Sequence, residues 1–171
     1  MNNPVLLENL RCIPDFPKKG INFRDVTTLY KNPECMKIMV DEMYELYKDK
    51  GITKIVGIES RGFVMAAALA TKLGAGVVLA RKPGKLPATV IKEYGVDTVE
   101  MHIDSIDEND VVLIHDDLLA TGGTAKATLK LVNHFHPKKV YMNFIIEITD
   151  EGLHGRDCLE KDVEVTTLMV I

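Results

Sequence analysis

The sequence predicts an α/β fold with a central, mostly parallel twisted sheet flanked by helices, and three observations carry that expectation. Short apolar runs recur at 54–58 (KIVGI), 77–80 (VVLA), 111–114 (VVLI) and 139–146 (KVYMNFII). They are continuous rather than alternating, as parallel strands buried on both faces must be. Segments with apolar residues at three- and four-residue spacing lie between them, and neither an internal repeat nor a linker interrupts the order. With 171 residues and a 46% apolar composition, one domain spanning 1–171 around a sizeable core is expected.

Taken in order, residues 1–31 contain Pro4, Pro14, Pro17 and Gly20 and read as a short helix followed by an extended, turn-rich segment that needs a body to lie against. Within it, Phe23 stands between Asn22 and Arg24, which by itself reads as an aromatic anchor beside a surface ion pair. Asn32 is placed to cap a helix with Pro33 at its first position and Glu34 in its first turn. Met36, Met39, Val40, Met43, Leu46 and Tyr47 form its buried stripe, and Gly51 stops it. Strand 54–58 leads through Glu59, Ser60, Arg61 and Gly62 into a helix ending at Gly74, whose alanines permit close approach to the sheet. Arg61 stands where α/β proteins collect ligand contacts, outside the carboxyl ends of the strands.

Strand 77–80 runs into RKPGKLP, where Arg81, Lys82 and Lys85 bracket Pro83 and Gly84. Such a cationic turn is either a solvated charge run or a polyphosphate site, and its place at a strand end favours the second. Residues 86–103 suggest a hairpin-like excursion with Glu93, Tyr94 and Gly95 at its tip. The remaining elements are a helix from about Ala125 to Phe135, the strand at 139–146, a polar loop with Gly152 and Gly155, and a last strand near 163–171.

A net charge of −4 argues against a nucleic-acid partner held by bulk electrostatics. Cys12, Cys35 and Cys158 are odd in number and widely spaced, so neither a disulfide framework nor a zinc site is indicated, and reduced thiols of a cytoplasmic protein are expected. No apolar stretch approaches the roughly 20 residues needed to span a bilayer, and no membrane association is expected.

The chain is organised around 111–124, VVLIHDDLLATGGT. Asp116 and Asp117 stand where the strand is expected to end, and Ala120, Thr121, Gly122, Gly123 and Thr124 form a small-residue turn before a helix. Backbone N–H groups at such a helix start favour an anion, the glycines let a phosphate approach closely, and the threonines add hydroxyl donors. Adjacent carboxylates suit vicinal hydroxyls or an indirectly bound divalent cation. Together they point to a sugar phosphate, although a plain strand-to-helix turn with Asp capping has the same composition. Neither the Walker pattern nor GxGxxG is present. His115, at the strand end, reads as a histidine satisfied by hydrogen bonding rather than a catalytic one.

The run 111–124 resembles the phosphoribosyl-pyrophosphate (PRPP) signature of the type I phosphoribosyltransferases, and LLATGGT resembles the wording of its adenine-specific branch. IPDFPKKGINFRDVT, GIESRGFVMAAALA, RKPGKLP, EYG with DTVEMH, FIIE and HGR resemble further segments of that branch in the same order. The resemblance implies the type I phosphoribosyltransferase fold, with a small N-terminal hood over 1–31 and a flexible catalytic loop. It implies transfer of the ribose phosphate of PRPP to adenine, giving AMP and pyrophosphate. Implied PRPP-binding residues are Arg61, Arg81, Lys82 and Lys85 for pyrophosphate, Asp116 and Asp117 for the ribose hydroxyls, and Ala120, Thr121, Gly122, Gly123 and Thr124 for the 5′-phosphate. Phe23 would stack on adenine with backbone groups of Asn22 and Arg24 reading its edge. Glu93 and Tyr94 would be the catalytic loop's pair. Mg²⁺ would be held through the substrate rather than by protein ligands, and a homodimer is implied. The signature alone also suits a transferase for hypoxanthine or guanine, or a non-catalytic PRPP-binding regulator. Only ATVIK separates RKPGKLP from EYG, a shorter stretch than the family's, and 147–156 is slightly longer than its pattern.

Overall fold

A computed structural model describes residues 2–87, 98–150 and 152–171, together with the backbone of 90–93. The elements run α1 (Pro4–Asn9), β1 (Arg11–Ile13), β2 (Phe23–Asp25), α2 (Thr27–Tyr30), α3 (Pro33–Tyr47), β3 (Lys54–Ile58), α4 (Gly62–Leu73) and β4 (Gly76–Ala80). They continue with β5 (Val90–Glu93), β6 (Val99–His102), β7 (Val111–Leu119), α5 (Gly123–Asn133), β8 (Lys139–Glu147), a 3₁₀ turn (Gly155–Cys158) and β9 (Glu164–Val170). Five strands form one parallel sheet in the order β4-β3-β7-β8-β9, so β7 is central. Two antiparallel pairs stand outside it, β1 with β2 in the N-terminal hood and β5 with β6 as the expected hairpin.

Alternation along the strands explains the continuous apolar runs. Ile55 and Leu113 enter one core with Met39, Met43 and Tyr47 of α3 and Met65 and Leu69 of α4. Val56, Ile58, Val112 and Ile114 enter the other, with Leu129 and Val132 of α5 and Val99 and Met101 of β6. Both faces of the sheet are therefore covered, and side chains pointing either way must be apolar. Local chemistry sets the helix ends: the Asn32 side chain accepts from the backbone N–H groups of Glu34 and Cys35, and Gly74 closes α4 at φ 72°.

Two boundaries differ from the expectation. β7 continues through the acidic pair to Leu119 because β8 pairs with it as far as Glu147, so Asp116 and Asp117 lie inside the strand rather than after it. The turn that follows is shortened accordingly, and α5 begins at Gly123.

Inside the first core lies a polar row. Gly57, His115, Asn143 and Thr166 are register neighbours across β3, β7, β8 and β9. His115 Nδ1 lies 3.0 Å from Asn143 Oδ1, Asn143 Nδ2 donates to Thr166 Oγ1 at 2.8 Å, and the Thr166 and Tyr47 hydroxyls are 2.6 Å apart. Tyr47 donates onward to the Met142 carbonyl at 3.2 Å. One direction of donation satisfies every link when His115 carries its proton on Nδ1. The hydrogen-bonded, non-catalytic reading of His115 agrees with this placement. Its imidazole is fully buried, and burial pulls its pKa down from 6.5 to about 4.

A folded-state value below the unfolded one means that only the unfolded chain takes up this proton between pH 6.5 and 4. His115 therefore contributes stability above pH 6.5 that is lost as the pH falls through that window, at no more than about 1.4 kcal/mol per pH unit. Urea unfolding of the wild type and His115→Gln at pH 7, 6 and 5 is expected to show a shallower pH dependence in the variant, and equal slopes would contradict a buried neutral imidazole.

Candidate active site

Three strands of the sheet deliver the site at their carboxyl ends. β3 ends in Glu59, Ser60 and Arg61 before α4, β4 ends in Arg81 and Lys82, and β7 carries Asp116 and Asp117 into the turn before α5. Gly62 makes the first junction possible: a Cβ there would stand 2.7 Å from the His115 carbonyl oxygen and 3.1 Å from Asp116 Oδ1. Helix α4 can therefore start directly against β7.

Arg61 is the hub. Its Nε lies 2.9 Å from Asp117 Oδ2. That oxygen is buried, with the guanidinium as its counter-charge. The guanidinium also stands 5.6 Å over the Phe23 ring, and the Tyr30 hydroxyl donates to the Arg61 carbonyl at 3.2 Å. Burial raises both carboxyls of the acid pair above the ordinary range. Asp116 rises further because the Asp117 charge adds to its desolvation, whereas the guanidinium opposes the rise at Asp117. Burial likewise raises the Tyr30 phenol, with the Asp117 charge adding to it, so Tyr30 stays a neutral donor.

Two hollows share Thr124 of the turn. One, of about 120 Å³, is lined by Asp116 and the turn residues Ala120, Thr121, Gly122, Gly123 and Thr124. Gly122 there has φ 80°, a left-handed conformation that glycine supplies without strain. The other, of about 280 Å³, is bounded by Glu59, Arg81, Lys82, Pro83 and Thr98 and reaches Thr124. Glu59 orders its cations: its carboxylate accepts from the Lys82 N–H at 2.9 Å and from Arg81 Nε and Nη2 at 3.3 Å. The Lys82 hydrogen bond comes first and Arg81 adds to it in holding Glu59 below the usual carboxylate range, so it is ionised.

Phe23, Arg61, Arg81, Lys82, Asp116, Asp117 and the 120–124 turn are thus brought to one edge of the sheet. Lys85 contributes its carbonyl, which accepts from Arg81 Nη1 at 3.0 Å, and its side chain is not in the lining of the larger hollow. Asn22 and Arg24 flank Phe23, and the Arg24 side chain turns to Cys12 and Asp150. Glu93 ends β5 opposite Val99, but its side chain, like the whole of Tyr94, lies outside the described residues. Sequence reasoning missed Glu59 and Tyr30 as site residues. Glu59 stands two residues before Arg61 and was open to notice, whereas Tyr30 reaches the site only through the packing of α2.

The phosphoribosyl transferase domain model matches residues 25–162. An adenine phosphoribosyltransferase of Phocaeicola vulgatus is 60% identical over 176 residues, covering 100% of both chains. Among solved structures, the adenine phosphoribosyltransferase of Rhodothermus marinus superposes with a TM-score of 0.90 at 45% identity, covering 98% of this chain and 97% of that one. The Giardia lamblia enzyme, complexed with 9-deazaadenine, gives 0.90 at 37% identity, covering 100% and 98%.

Gly62→Ala tests the close junction of α4 and β7. The added methyl meets backbone and a carboxylate rather than a flexible side-chain tip, so a loss of about 1–3 kcal/mol is expected in urea unfolding. Unchanged stability would show that the junction has slack.

Proposed function

The chain belongs to the adenine phosphoribosyltransferase family, and from that premise we propose how its residues carry the reaction of adenine and PRPP to AMP and pyrophosphate, a purine-salvage step. The observation that supports this most is the junction itself: an acid pair at a glycine turn is held by an arginine that also stands over an aromatic ring, and a cationic hollow reaches the same turn at Thr124. PRPP needs those parts, since it presents a 5′-phosphate, a vicinal diol and a pyrophosphate.

The turn at 120–124 receives the 5′-phosphate on its backbone N–H groups and hydroxyls. Asp116 and Asp117 accept hydrogen bonds from the ribose hydroxyls, and their charge favours a cationic ring. Arg61, Arg81 and Lys82, with Lys85 at the loop's rim, hold the pyrophosphate. Phe23 stacks on adenine, and backbone groups of Asn22 and Arg24 read its edge. The bond from the anomeric carbon to pyrophosphate breaks as N9 of adenine bonds to that carbon, and the base loses its N7 proton toward Glu93. The bond electrons leave with the pyrophosphate, so cations at the leaving group and carboxylates beside the sugar both lower the barrier. Tyr94 and its loop exclude water during transfer.

Among the described residues no group of three or more carboxylate, imidazole or thiol side chains gathers to hold a metal ion. The two carboxylates at the diol suit a cation carried in on the substrate. Mg²⁺ bound in that way would neutralise part of the leaving group's charge. We also propose a homodimer, for which exposed Val64 of α4 and Val77 and Leu79 of the edge strand β4 offer an apolar face. A single domain spanning 1–171 carries the reaction, and the free thiols of Cys12, Cys35 and Cys158 suit a cytoplasmic location. Among the described residues no helix is long and apolar enough to cross a membrane.

Purified protein with Mg²⁺ and PRPP is expected to form AMP and pyrophosphate from adenine in competition with hypoxanthine and guanine. Preferred product from another purine would overturn the base, and PRPP binding without turnover would overturn the catalytic reading. Glu93→Gln is expected to slow kcat about 100-fold or more with the KM for PRPP nearly unchanged. An unaltered kcat would remove Glu93 from the catalytic loop.

A further inference from the structure

Residues 147–150 and 152–158, from the end of β8 to the 3₁₀ turn, supply none of the residues assigned above, yet they touch both halves of the site. Its root is fixed to the sheet: the Ile148 N–H donates to the Leu119 carbonyl at 2.9 Å, and the Thr149 N–H to the Ile171 carbonyl at 2.6 Å.

One arm reaches the phosphate turn. Arg156 presents its guanidinium fork to Glu147, Nε to Oε1 at 2.8 Å and Nη2 to Oε2, while Nη1 donates to the Val165 carbonyl at 2.9 Å. Glu147 is buried and sits in register with Leu119, the residue before the turn. The fork thereby seats Gly155 against that turn. A Cβ on Gly155 would lie 2.5 Å from the Ala120 carbonyl oxygen, and one on Gly122 would lie 2.4 Å from the Gly155 carbonyl oxygen. The Cys158 thiol closes the contact by donating to the Thr121 carbonyl at 3.3 Å.

The other arm reaches the hood. Asp150 Oδ2 accepts from Arg24 Nη2 at 2.6 Å, and Arg24, only 11% exposed, directly follows Phe23 on β2. A guanidinium so nearly buried needs its anion, so the pair fixes where β2 lies against the body.

We propose that residues 147–150 and 152–158 act as a positioning strap that holds the base-binding hood with Asp150 and the phosphate turn with Arg156, and so sets the separation of the two substrates. This rests on the adenine phosphoribosyltransferase reading above. Neither residue touches substrate: Asp150 acts through Arg24 and Phe23, and Arg156 acts through Gly155 and the 120–124 turn.

The test is steady-state kinetics on full-length wild type, Asp150→Asn and Arg156→Lys, with thermal midpoints recorded in parallel. Asp150→Asn is expected to raise the KM for adenine about 10-fold and leave that for PRPP within about twofold. Arg156→Lys is expected to do the reverse, because an ammonium cannot reproduce the bidentate fork. Lowered midpoints with both KM values unmoved, or both KM values moved together in each variant, would overturn the strap. Should either variant fail to fold, Arg24→Lys and Glu147→Gln must give the same split. AMP formation by the wild type separates the two readings: without it the function itself falls, and with it an unsplit result brings down the strap alone.

Discussion

Two carboxylates carried inside the protein by its central strand constrain everything at the carboxyl edge of the sheet. Removing a charge from water costs several kcal/mol unless a partner and hydrogen bonds replace the solvent. Asp117 finds that partner in Arg61, and the rest of the junction serves to bring Arg61 there. Gly62 lets α4 begin in contact with β7, Ala66 and Ala70 keep the helix close to the sheet, and Tyr30 ties the Arg61 carbonyl to α2. The Phe23 ring then lies beneath the same guanidinium. Hood, helix and strand are therefore joined at one cation.

Charge is distributed with the same economy. The chain is acidic overall, with a net charge of −4, yet Arg81 and Lys82 face a common hollow that reaches the glycine turn. Glu59 holds the Arg81 guanidinium and the Lys82 backbone, and its contacts to Arg81 are long at 3.3 Å. A pyrophosphate brings more negative charge than one carboxylate. On the proposed function it would therefore draw Arg81 and Lys82 toward itself while Glu59 keeps the loop oriented.

Features that depend on local chemistry were legible in the sequence. The strands at 54–58 and 77–80, the Asn32–Pro33 helix start, the Gly74 stop and the acid pair ahead of a glycine turn all appear where composition and spacing place them. What depends on register or distant partners was not. β7 runs past its acid pair because β8 is long enough to pair with it, which no property of 111–119 announces. His115 could be read as hydrogen-bonded, but its partner Asn143 and the row ending at Tyr47 require knowing which strands are neighbours. The sequence HGR stands out by itself, whereas the role of Arg156 depends on Glu147 across a loop and that of Arg24 on Asp150, 126 residues away.

That last separation has a mechanical reason. A displacement reaction demands that nucleophile and electrophilic carbon approach within about 3–3.5 Å in a defined direction, and small misplacements are costly. The phosphate turn and the acid pair meet this demand readily, since both grow from β7 and share its rigidity. The hood does not, because β1 and β2 pair only with each other and stand outside the five-stranded sheet. A base carried there would be placed no better than the hood itself is placed. The hood is rooted in the first core by Leu6, Val26 and Leu29, and contacts to Arg61 from one side and to Asp150 from the other add to that root at the strand that carries Phe23. Since Asp150 follows the strand beside β7, the proposed function refers the position of the base back to the element assigned to the sugar.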